Sequence, residues 1–197
     1  GKPVVPEVCV YFDYVLLRGN RSKKVESMQF DAFESGNYPP LAKAGVKIDY
    51  TDSAIQPYEE RPLVLHQQFE TNIAILKLFP GIPEQVVSTI LNIPGLKALV
   101  LETYGAGNAP NVEWLIRLLK EAINKNIIVV NISQCPGGMV VQGRYETSKE
   151  LTQMGVISGA DMTTEAAITK LMLLLGQNDV ATVRALMGKS LSGEMSV

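Results

Sequence analysis

The run Ile127-Ile-Val-Val-Asn-Ile132 constrains this chain more than any other stretch. A strand buried on one face alternates apolar and polar residues, so a nearly continuous apolar run belongs to a strand covered on both faces. Leu96–Leu101 has the same character, and Trp114, Leu115, Leu118, Leu119 and Ile123 fall at helical spacing between the two runs. Asn72–Phe79 reads as a further strand, stopped by Pro80-Gly81, and Pro83–Leu91 as a helix with proline suited to its first turn. Strands alternating with helices at these lengths imply a small parallel sheet in a three-layer α/β domain.

Such a sheet binds ligands in the crevice at the carboxyl ends of its strands. Two polar loops fall there. After Lys97–Leu101 comes Glu-Thr-Tyr-Gly-Ala-Gly-Asn108, where Gly105 and Gly107 permit close backbone approach and Thr103, Tyr104 and Asn108 supply hydroxyl and amide groups. After Ile132 comes Ser133-Gln-Cys-Pro-Gly-Gly138. Adjacent strands delivering both loops to one edge predict a shared site. Gly105-Ala-Gly107 is not a dinucleotide fingerprint: Pro110 stands at the third glycine, and the next strand ends in Asn131 rather than an acidic residue.

The flanks are less regular. Pro3–Leu17 reads as two paired strands meeting at a turn near Asp13, and a lone pair of strands does not hold together in water. The basic segment Arg18–Lys24 reads as a loop on its own terms, Met28, Phe30 and Phe33 suggest a short amphipathic helix, and Leu41–Tyr50 a small strand pair. A boundary is expected between Asp49 and Arg61. Towards the other end, helices are expected over Thr147–Met154, from Thr163 as cap to Gly176, and over Asp179–Met187, with Val156-Ile157 as a short extended piece.

Composition excludes more than it selects. A formal net charge of −2 removes the electrostatic case for nucleic acid or an anionic membrane, and no apolar run has the length of a membrane helix. Cys9 and Cys135 are far apart without metal-ligand spacing, and read as reduced, mostly buried thiols. His66, the one histidine, sits in a strand-like apolar context and reads as structural. No phosphate-binding loop or serine nucleophile elbow occurs.

Several spaced motifs, in order, resemble one family. Thr103–Pro110, Asn131–Cys135 and Gly155–Ala167 are similar to the C-terminal domain of bacterial-type, cytoplasmic type I L-asparaginases. Arg18–Lys24 and Phe33–Leu41 match the end of that family's N-terminal domain, and Leu191–Met195 its C-terminus. The resemblance implies an α/β chain whose residues 1–48 are the last part of a larger nucleophile-bearing domain, 49–61 a linker and 62–197 the C-terminal domain. It further implies hydrolysis of L-asparagine to L-aspartate and ammonia, no metal or cofactor, a cytoplasmic location, and a homodimer or homotetramer.

In that family a threonine nucleophile attacks the amide, and a second threonine in a Thr-Asp pair is aided by a lysine. Neither threonine motif occurs here, so the resemblance implies that the family's first half is missing and the isolated chain inactive. Lys24 aligns with the lysine, with Lys23 its rival one residue away. Asn108 and Tyr145 are implied to reach a neighbouring subunit's substrate site. An allosteric asparagine site would map to Lys23, Glu102, Ser133 and Cys135. Lys23 and Glu102 replace the family's threonine and arginine there, and a glutamate cannot clamp a carboxylate. Activation by asparagine is therefore expected to be absent or altered, and a Lys23–Glu102 salt bridge would fill the site. Two rival readings are a non-catalytic amino-acid-binding or oligomerisation domain and an asparaginase-like subunit of a tRNA-dependent amidotransferase.

Overall fold

The computed structural model describes residues 4–28, 32–141 and 146–196. Its centre is the sheet that the apolar runs predict: β7 (Ile73–Lys77), β8 (Ala98–Thr103), β9 (Ile128–Ser133) and β10 (Ile157–Ser158) lie parallel in the order β10-β9-β8-β7. In β8 and β9 successive side chains leave opposite faces, and both faces are covered. Leu99, Leu101 and Val129 pack with Val87, Leu115 and Leu119 from α1 (Glu84–Leu91) and α2 (Glu113–Asn124), and with Leu151 from α3 (Glu146–Gln153). Ala98, Val100, Ile128, Val130 and Ile132 pack with Ala167, Leu171 and Val183 from α4 (Thr164–Gln177) and α5 (Val180–Met187). Truncating any of these fully buried leucines to alanine costs about 2–5 kcal/mol.

The helix starts follow their caps. Thr163 accepts a hydrogen bond from the Ala166 amide and Asp179 one from the Thr182 amide, while Pro83 precedes α1, whose first turn carries Glu84.

Ahead of this unit lies a second, antiparallel sheet. In it β1 (Cys9–Phe12) pairs with β2 (Val15–Arg18), and β2 with β5 (Ala42–Ala44). The fourth strand, β6 (Ile48–Tyr50), pairs with β5. The β1–β2 turn places Asp13 and Tyr14 at φ 46° and 61°, the geometry that matches the twist of a two-residue hairpin. Between β2 and β5, β3 (Lys23–Lys24) and β4 (Phe33–Glu34) form a short ribbon.

Three expectations are corrected here. Phe33 belongs to a strand, not a helix: Lys23 and Glu34 face each other across the ribbon, and six residues are too few to nucleate a helix alone. Phe30 of the expected helix lies outside the described residues. The segment around His66 is no strand; residues 61–69 are irregular and exposed, with Leu63 fully so, and pair with neither sheet. Cys135 is exposed rather than buried, on the loop after β9, and both cysteines are free.

Candidate functional site

The polar loops do meet at the carboxyl edge of β8 and β9. Tyr104 and Asn108 close the first loop on itself, each backbone amide donating to the other's carbonyl at 2.9 Å. Gly105 and Gly107 have φ of 48° and 101°, and a Cβ on Gly107 would lie 2.7 Å from a methyl of Val140.

Side chains of β9 grip this loop. The Asn131 amide nitrogen donates to the Gly107 carbonyl at 3.2 Å, and the Ser133 hydroxyl donates to the Gly105 carbonyl at 2.6 Å. Thr103 Oγ1 donates to Asn131 Oδ1 at 2.6 Å, and both residues are fully buried. The Gln134 amide spans to the carbonyls of Leu78 and Glu102, tying the second loop across three strands.

Beside these loops opens a crevice of about 90 Å³ lined by Lys23, Glu102, Ser133 and Cys135 together with Arg21, Asn37 and Thr164. All four residues of the expected allosteric set therefore share one cavity. The expected Lys23–Glu102 bridge is not formed. Lys23 Nζ lies 3.8 Å from Glu165, while Glu102 accepts from the Thr164 hydroxyl at 2.5 Å and sits 3.9 Å from Lys77 Nζ. The reason is local: Thr164 and Glu165 open α4 at the crevice wall and offer each charge a nearer partner.

Lys24 and Asn108 are not among the crevice-lining residues. Lys24 follows Lys23 in the ribbon, so its side chain leaves the opposite face, and it is exposed. Asn108 Oδ1 and the Tyr104 hydroxyl are shielded from solvent and have no hydrogen-bond partner among the described residues. Tyr145 lies outside the described residues. His66 borders a separate hollow of about 420 Å³ with Phe69 and Lys170, lined by no residue of the two loops. Among the described residues no group of three or more His, Cys, Asp or Glu is placed to hold a metal.

Sequence reasoning missed the residues that fasten the N-terminal strands here. Arg21, fully buried, sits 2.8 Å from Asp161 in an ion contact and donates to the Gly193 carbonyl at 2.7 Å. Asn37 donates to the carbonyls of Gly138 and Asp161, both at 3.0 Å. Burial raises the Asp161 pKa, but hydrogen bonds from Ser196 and from Arg21, with the Arg21 charge, outweigh it and leave the carboxyl below its ordinary range. Nothing in the pattern of Arg18–Lys24 separates the buried Arg18 and Arg21 from the exposed Lys24. Asn131 did carry a signal: it is the polar break in an apolar run.

Comparison with known proteins fixes the lineage. The model of the glutaminase/asparaginase C-terminal domain matches residues 72–187, more than half of the chain, and that of the asparaginase N-terminal domain matches residues 1–56. The chain belongs to the asparaginase family. L-asparaginase 1 of Escherichia coli is 42% identical over 193 residues, covering 98% of this chain and 57% of that protein. The crystal structure of L-asparaginase I from Vibrio cholerae superposes with a TM-score of 0.90 at 37% identity, covering 98% of this chain and 58% of that one. A glutamyl-tRNA(Gln) amidotransferase subunit of Methanobrevibacter smithii is 37% identical over 188 residues, covering 92% of this chain and 42% of that protein. The chain thus spans little more than half of the asparaginases it resembles. Its mixed α/β architecture and parallel four-stranded sheet are those of asparaginase I. The two asparaginase-family segments meet where Arg21 and Asn37 from the first reach Asp161 and Gly138 in the second. Among the described residues no helix is long and apolar enough to cross a membrane.

Proposed function

We propose that this chain is the half of a cytoplasmic type I L-asparaginase that completes, but does not carry, the nucleophile site. The whole enzyme hydrolyses L-asparagine to L-aspartate and ammonia without metal or cofactor. The observation that carries this reading is the glycine loop Thr103–Pro110, held at the sheet edge by Asn131 and Ser133, in a chain 42% identical to an L-asparaginase.

A threonine hydroxyl attacks an amide only when a nearby base takes its proton, and a lysine amine does so when its pKa is depressed. Lys24 has that role in the longer protein, packed against the missing domain rather than exposed. Residues 1–48 are the end of the nucleophile domain, 49–61 the linker and 62–197 the C-terminal domain. Asn108 and Tyr145 reach the substrate of a neighbouring subunit in a homodimer or homotetramer. Activation by asparagine through the crevice is absent or altered, because Glu102 takes the place of a carboxylate-clamping arginine. The test is ammonia release from L-asparagine by the longer protein, which Lys24→Ala abolishes and Lys23→Ala spares; loss in Lys23→Ala alone overturns the assignment.

The amidotransferase reading is favoured by one observation, the 37% identity to an amidotransferase subunit. It predicts ammonia release that depends on a partner protein and transfer RNA; release by the asparaginase-like protein alone rejects it.

A further inference from the structure

Asn131 is an uncharged polar residue, fully buried within a strand whose neighbours Val129, Val130 and Ile132 are all apolar and buried. A buried amide costs free energy unless its groups are paired, so its retention here calls for a task. Its partners define that task. Gly107 offers a carbonyl, which can only accept, so the Asn131 nitrogen must face it, at 3.2 Å. The Asn131 oxygen is then turned to Thr103 Oγ1, whose hydroxyl donates at 2.6 Å, so the Gly107 carbonyl fixes which way the amide points and the hydroxyl on β8 satisfies its oxygen. The backbone carbonyl of Asn131 accepts from the Gly159 amide at 2.8 Å, joining the loop after β10 to the same anchor.

Asn108 follows Gly107 directly, and its own backbone bonds reach only Tyr104, within the same loop. The loop would keep that internal closure while swinging as a unit about its two ends. Asn131 and Ser133 remove that freedom by holding the carbonyls of Gly107 and Gly105, on either side of Ala106, whose own carbonyl accepts from the Val141 amide at 3.1 Å. Gly107 itself packs against the anchor: a Cβ there would lie 3.3 Å from the Asn131 nitrogen.

We infer that Asn131, its oxygen satisfied by Thr103, is a positioning residue that sets where Asn108 is presented to substrate. This rests on the reading of Asn108 as a substrate-binding residue; the grip on the loop stands independently of it.

Asn131→Asp separates the two. The carboxylate keeps the shape and the acceptor for Thr103 but turns a second acceptor towards the Gly107 carbonyl, and two acceptors cannot bond. In the 197-residue chain, amide hydrogen exchange at Val141, whose N–H donates to the Ala106 carbonyl between the two loop glycines, is expected to accelerate about tenfold over wild type, with the β8 and β9 amides unchanged. In the longer protein the same substitution is expected to raise KM for asparagine about tenfold with kcat little changed, the signature of lost binding rather than lost chemistry. Uniform acceleration across the sheet, or unchanged exchange at Val141, overturns the grip. Faster loop exchange with an unchanged KM overturns the positioning role. A wild-type longer protein inert towards asparagine overturns the proposed function and leaves the grip to the exchange result. Should Asn131→Asp fail to fold, Asn131→Leu, which keeps the volume and removes the donor to the Gly107 carbonyl, is measured at the same amide, and the same results support or overturn the grip.

Discussion

Arg21 and Asp161 stand 2.8 Å apart, both shielded from water, where the N-terminal strands meet the parallel-sheet unit. Breaking such a pair from one side leaves a buried charge uncompensated. Arg21→Met is therefore expected to destabilise the chain by about 3–5 kcal/mol in urea unfolding. The loss exceeds that of Arg117→Met, whose partners Glu84 and Glu121 are solvent-exposed.

Asp161 also sets an acid limit. Its carboxyl is held below its ordinary value, so the native form binds the proton less readily than the unfolded chain. The stability it contributes is complete above the ordinary aspartate range and is lost as pH falls through the lowered native value. Glu194 adds to this in the same direction: burial raises its pKa, and hydrogen bonds from Lys170 and the backbone of Ser192 and Leu191 outweigh that. Tm is expected to fall steeply on acidification, and Asp161→Asn to flatten the acid limb while lowering Tm at neutral pH. An Asp161→Asn acid limb as steep as wild type contradicts this.

The two loop glycines should respond differently to alanine. Gly105 at φ 48° has open space where a Cβ would go, so Gly105→Ala carries only the left-handed backbone cost of about 1–2 kcal/mol. Gly107 at φ 101° adds the clash with Val140, and Gly107→Ala is expected to cost more and to disturb Asn108. Thermal unfolding of the pair checks the order.

Saturation kinetics test the crevice. With Glu102 engaged by Thr164 and near Lys77, the longer protein is expected to show hyperbolic dependence on asparagine. Sigmoidal kinetics that disappear on substitution of Cys135 contradict that expectation.

The parallel sheet was legible because β8 and β9 are buried on both faces and their apolar runs say so without help from distant residues. The two loops were legible for the same reason: glycine and polar residues directly after such a run have few other places to be. What escaped the sequence depends on partners remote in the chain. The burial of Arg21 follows from Asp161 and Gly193, and no local pattern encodes either. Lys23 and Glu102 were paired in expectation because their charges complement, yet Thr164 and Glu165 at the start of α4 stand closer. Phe33 was misplaced because three apolar residues in six fit a helix and a strand equally well. The resemblance to asparaginases rested on motifs in order, and the family models and the superposition agree with it.

The central claim is that these residues complete an asparaginase site whose nucleophile lies elsewhere. Ammonia release from L-asparagine tests it most directly, measured on this chain alone and on the same chain preceded by the N-terminal half of the family's sequence. The account predicts release only from the longer protein. Release from the 197 residues alone contradicts it, because the nucleophile would then have to lie within them.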